Sequence, residues 1–118
     1  MVIFNRTKHQ ALWNWLADNP DKEKDDWPEW TRNGGTIEKV DGLCFACQYA
    51  RERLIENGRL FANKCRIYCP LNIDDNSYIT CLNGMYDEWQ LEKDFSRRSE
   101  LAREIANLPV RTYVDYYI

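Results

Sequence analysis

The residues of this 118-residue chain with the most specific chemistry are its five cysteines. Cys44 and Cys47 are separated by two residues and Cys65 and Cys69 by three, and seventeen residues lie between the two pairs. Zinc takes four tetrahedral ligands, and two close thiol pairs on two chain segments supply them with little ordering cost beyond closing one loop. The expected ligand set is therefore Cys44, Cys47, Cys65 and Cys69. Cys81 is an alternative fourth ligand in place of Cys65, and spacing does not decide which four of the five bind. Four thiolates around a divalent ion leave a net charge of about −2. Arg51, Arg53, Arg59, Lys64 and Arg66 lie between or beside the pairs, opposed by Glu52 and Glu56, an excess of the sign such a site attracts.

Two other thiol chemistries compete with zinc. A dithiol redox centre also uses Cys-x-x-Cys, and Cys44 at the start of a helix is where a thiolate is stabilised, but that reading accounts for only two of the five cysteines. Disulfides suit a small secreted domain, yet the cysteine count is odd and the chain opens without a secretory signal, which sets the expectation of a cytoplasmic protein. His9, the only histidine, is expected on a helix surface rather than in the metal sphere, which thiols already fill.

The elements that must hold these thiols follow from periodicity and punctuation. Residues 7–19 read as a helix with Thr7 as N-cap and Pro20 as its stop, burying Leu12, Trp15 and Leu16 on one face; Trp13 points elsewhere, either exposed or under another segment. Residues 44–57 read as a second helix, ended by Gly58, with Phe45, Tyr49, Leu54 and Ile55 as apolar positions and Cys47 in its first turn, where the helix dipole favours a thiolate. Residues 84–90 and 96–108 read as two helices or one bent one, the latter burying Leu101 and Ile105 and stopped by Pro109. Residues 36–40, 78–80 and 110–118 alternate as short strands do. The expected fold is thus α+β, a small helix-rich single domain over residues 1–118 with a few short strands, stapled by a zinc site of four cysteines.

Composition narrows the function classes. Sixteen basic and nineteen acidic residues give a net charge of −3, which disfavours a general nucleic-acid binder, since neutralising phosphates takes a basic excess. No apolar run approaches the roughly 20 residues needed to cross a bilayer. The acidic residues gather at Asp21, Glu23, Asp25, Asp26 and Glu29, and residues 26–30 read as a short helix with Pro28 in its first turn and Trp27 and Trp30 on one face. That stretch is either a solvated linker pinned to the core by two indoles or a contact surface in which Asp25, Asp26, Trp27, Glu29 and Trp30 meet a basic partner. No Ser/His/Asp set, phosphate-binding glycine loop or paired carboxylates in a pocket argue for an enzyme.

The succession of residues 12–16 (Leu-Trp-Asn-Trp-Leu), 22–28, Cys44-Phe45-Ala46-Cys47-Gln48-Tyr49-Ala50, Cys69-Pro70-Leu71, Cys81 to Trp89 and Leu101 to Pro109 resembles small cysteine-containing proteins of bacteriophages and integrated elements of Gram-positive bacteria. Within that setting, a small acidic metalloprotein is similar in kind to anti-CRISPR proteins directed at type II Cas9 effectors. The resemblance implies a phage protein acting in a bacterial host cell, with Cas9 or its guide-RNA complex as protein partner and interference in DNA loading or cleavage, beside the Zn2+ cofactor and the lack of enzymatic activity read from the residues. The alternative is a zinc-dependent nucleic-acid-binding regulator of a phage that uses Arg51, Arg53, Arg59, Lys64 and Arg66 on phosphates.

Overall fold

The structure is a computed structural model that describes residues 3–40, 43–56, 70–71 and 85–110. Within them the chain forms four α-helices, α1 (Arg6–Asp18), α2 (Phe45–Glu56), α3 (Met85–Leu91) and α4 (Phe95–Ala106), with two 3-10 turns at Lys24–Asp26 and Thr31–Asn33. The helix α1 starts one residue before Thr7, because Asn5 rather than Thr7 accepts the free N–H of Lys8 at 3.1 Å. It ends at Asp18, since Asn19 precedes Pro20 and is disfavoured in the α region; its side-chain amide instead donates to the Trp15 carbonyl at 2.9 Å. In α4, Asp94 caps the Ser96 N–H at 3.0 Å, and Asn107 closes the last turn ahead of Pro109.

The core lies between α1 and α4. His9, Leu12, Trp13, Leu16 and Ala17 recur at three- and four-residue steps, as do Arg98, Leu101, Ala102, Ile105 and Ala106, so each helix turns one stripe toward the other. They run antiparallel: the Ser99 hydroxyl donates to the Ala17 carbonyl at 2.6 Å near one end, and His9 Nε2 pairs with the Ile105 carbonyl at 3.0 Å near the other. At their rim Arg103 donates to Asn14 Oδ1 and to the Asp18 carboxylate. Leu16, Leu101 and Ile105 are buried as expected. Trp15 is only partly buried, because the stripe on α1 centres on Trp13, which passes under α3 with its ring centroid 4.9 Å from that of Trp89 in an edge-on contact.

The α+β expectation is overturned. Among the described residues there is no strand, only isolated bridges pairing Trp30 with Ile37 and Leu71 with Val110. Residues 36–40 do not extend the first bridge because their neighbour is not extended: Thr31–Asn33 is a 3-10 turn, and Gly34, at φ 97°, reverses the chain immediately after it. The strands expected at 78–80 and 111–118 lie outside the described residues, as does the Leu54 side chain. Nor do the described residues show a zinc staple: no three His, Cys, Asp or Glu side chains among them gather closely enough to hold a metal ion.

Candidate functional site

Cys44 occupies the N-cap position of α2, and its sulfur accepts the backbone N–H of Cys47 at 3.2 Å, the bond a serine hydroxyl makes at a helix start. The sulfur thereby sits at the positive end of the helix dipole with a donor aimed at it, an environment that favours a thiolate. Cys44 is buried at 7% exposure, whereas Cys47 is half-exposed. Immediately before them Leu43 adopts a left-handed φ of 54°, a conformation that costs a non-glycine residue about 1–2 kcal/mol and sharply redirects the chain into the helix. Cys65, Cys69 and Cys81 lie outside the described residues, so of the five thiols the structure places Cys44 and Cys47 alone.

His9 is not the surface histidine that the sequence suggests. It is 1% exposed, facing α4, with Phe4 tilted against it at 5.6 Å and Phe4 in turn edge-on to Tyr49 of α2. Burial pushes its pKa below the ordinary value; the hydrogen bond to the Ile105 carbonyl and the nearby Cys44 oppose that shift, and Arg6 adds to it. A neutral imidazole bonded to a carbonyl through Nε2 carries its proton there, so Nδ1 is an acceptor, and no hydrogen-bond partner meets it.

The acidic segment is built more firmly than a linker. Trp27 and Trp30 are buried, stacked edge-on at 5.1 Å, and both meet Phe45, the first residue of α2. The Trp30 indole N–H donates to the Lys24 carbonyl at 2.9 Å, and the Asn33 amide donates to the carbonyls of Asp25 and Trp27. Gly35 is required here, because a Cβ would lie 2.2 Å from the Glu29 carbonyl carbon. The expected helix at 26–30 is instead a turn between two 3-10 elements, since both indoles must point inward from a segment that is otherwise solvated. Of the five candidate contact residues, the indoles are therefore inside, while Asp25 is half-exposed and Asp26 and Glu29 are exposed.

Arg98 is the residue that fixes this segment to the helices, and sequence reading misses it. It is 4% exposed, and its guanidinium donates to the carbonyls of Trp89 (3.0 Å), Pro20 (2.7 Å) and Lys22 (3.0 Å) and to the Glu23 carboxylate (2.8 Å), while lying over the Trp89 ring. Its signal is positional: an arginine three residues before Leu101 and four before Ala102 falls on the apolar stripe of α4. Lys24 reaches across in the same region, its Nζ 4.3 Å from the centre of the Tyr86 ring. These contacts bring α3 alongside residues 20–24; Asp87 and Glu88 on α3 and Asp21, Glu23 and Asp26 before α2 are all exposed. At the corner between α3 and α4, Leu91 and Phe95 are 78% and 56% exposed, beside Asp94.

A shallow groove of about 430 Å3 runs between residues 36–40 and α2, lined by Ile37, Val40, Phe45 and Gln48 among mixed charges, without a nucleophile or convergent carboxylates. Of the basic residues proposed for phosphate contact, Arg51 is exposed on α2 and Arg53 pairs with Glu56 at 3.1 Å, whereas Arg59, Lys64 and Arg66 lie outside the described residues. No helix among the described residues is long and apolar enough to cross a membrane. No protein-family model, curated protein or solved structure matches this chain.

Proposed function

We propose that this is a phage-encoded, zinc-binding interaction protein that binds a host defence effector, a type II CRISPR-Cas9 complex before others, and interferes with its DNA loading or cleavage without being an enzyme. The observation that carries this reading is the Arg98 junction. One buried guanidinium ties the acidic segment to α3 and α4, so the exposed carboxylates of that segment stand on a preorganised backbone. Preorganisation matters because ordering a loop on binding subtracts from affinity. A molecule that offers carboxylates on a fixed backbone and two exposed apolar side chains, Leu91 and Phe95, suits a basic groove with apolar walls. Nucleases that hold a guide–target heteroduplex present such basic channels.

The experiment is to add the purified protein to a Cas9–guide complex and follow both target cleavage and co-elution. Cleavage falling in proportion to the inhibitor, with a stable complex on gel filtration, supports the reading. Undiminished cleavage with no complex removes it. Direct, steeply salt-dependent binding to DNA or RNA in place of the effector would favour the phage regulator instead.

A further inference from the structure

Among the described residues, the exposed large apolar side chains are Ile3, Ile55, Leu91 and Phe95. Leu91 is the last residue of α3 and Phe95 the first of α4, and they are the two most exposed of the set. Four residues of chain reach at most about 14 Å, so both side chains leave the backbone close enough to meet one partner surface. The corner between them is held by its own polar groups. Glu92 Oε1 accepts the N–H groups of Lys93 and Asp94, each at 3.1 Å, and Asp94 Oδ1 accepts that of Ser96 at 3.0 Å. The Trp89 carbonyl receives both the Glu92 N–H and the buried Arg98 guanidinium. Apolar side chains scattered singly over a surface are ordinary, whereas two at a corner that is already ordered lose little backbone freedom on being covered.

The charges around this corner are nearly all of one sign. Residues 85–96 carry Asp87, Glu88, Glu92 and Asp94 against Lys93. Asp87 and Glu88 lie one helical turn before Leu91, on the same face of α3, and Asp94 directly precedes Phe95; all three acids are exposed. Arg98 and Lys24, which pack against α3, are buried, and Arg97 on α4 is paired with Glu100 at 3.3 Å. Ile55 has a different setting, in a shallow recess with Lys39, Arg51 and Glu52, where charges of both signs meet. We infer that Leu91 and Phe95 are the apolar anchors of the partner contact, seated in an apolar pocket that the partner protein rims with lysine or arginine. This rests on the interaction reading above and deepens it: the carboxylates steer the encounter, and these two side chains hold the complex once it has formed.

The two roles separate by rate. Over an immobilised Cas9–guide complex, the double variant Leu91→Ser, Phe95→Ser should dissociate at least about 30-fold faster than wild type, the loss expected when an anchor is truncated. Its association rate should stay within about twofold of wild type, with the same salt dependence, because its charges are intact. Asp87→Asn, Glu88→Gln should instead slow association at low salt and change dissociation little. Ile55→Ser is the control and should match wild type in both rates. Melts recorded in parallel establish that each variant is folded. Dissociation of the double serine variant as slow as that of wild type, or an equal loss from Ile55→Ser, would overturn the anchoring role and leave the interaction reading standing. So would wild-type dimers on light scattering that the serine pair breaks while effector binding is kept, since a second copy would then cover the corner. Wild-type protein that binds no Cas9–guide complex would overturn both.

Discussion

At the scale of single residues, Arg98 makes the clearest commitment. Three of its four hydrogen bonds end on main-chain carbonyls, the one to Trp89 fully buried and those to Pro20 and Lys22 partly so, and truncation unpairs them as well as removing the cation over Trp89. Arg98→Ala should lower unfolding free energy by about 3–5 kcal/mol in urea titrations, the range for breaking a buried charged network. Arg98→Lys should recover little, because an ammonium cannot direct donors along the planar fork that reaches these carbonyls. Glu23→Gln should change stability by no more than about 0–1 kcal/mol, since the Glu23 side chain is mostly exposed and solvent screens the pair. A lysine variant as stable as wild type would show that the fork is not what holds residues 20–24. The thiol spacing was legible from sequence, whereas the role of Arg98 was not: charge on a helix is read as solvated face unless its register with Leu101 and Ala102 is checked.

At the scale of elements, the helices were legible and the strands were not. The repeats on α1 and α4 and the stops before Pro20 and Pro109 fix those helices to within one or two residues, because periodicity and capping are local properties. Strand pairing is non-local: residues 36–40 alternate, but alternation makes a strand only if an extended neighbour exists, and here the neighbour is a 3-10 turn. Trp15 was overweighted for a related reason, as Leu12 and Leu16 fit two adjacent stripes and only the position of α3 selects the one centred on Trp13. For the 3-10 segment, Trp30→Ala should cost about 3–5 kcal/mol of stability, as truncating a fully buried indole does. Gly35→Ala should also destabilise it, since the new methyl meets Glu29 main chain rather than a movable side chain. Both are read by thermal melts, and near-wild-type midpoints would mean that the indole pair is not core. Leu91→Ser and Phe95→Ser, by contrast, should leave the melt within about 0.5 kcal/mol of wild type, because neither side chain is buried.

At the scale of the whole molecule, the proposed metal site and the proposed binding surface are tested separately. If the cysteines bind zinc, chelation should lower the melting temperature, and Cys47→Ser should lower zinc content and stability together. A melt unchanged by chelation would separate the fold from the metal. The acidic segment is anchored without the cysteines, at the C-terminal end of α1, where Arg98 gathers residues 20–23 and α3. Sequence reading could see the acidic run but not what anchors it, because Arg98 meets residues 20–23 only through that tertiary junction. The most direct measurement of the central claim is therefore the affinity of a Cas9–guide complex for wild-type protein and for the charge-reversed variant Asp21→Lys, Glu29→Lys, Glu88→Lys, with melts recorded in parallel; Asp26 is left unchanged because its carboxylate accepts the Glu23 N–H. Binding should be at least about 10-fold weaker for the variant, a loss of roughly 1.4 kcal/mol, with the melting temperature held. Equal affinity for the two proteins, or no complex with either, would contradict the claim.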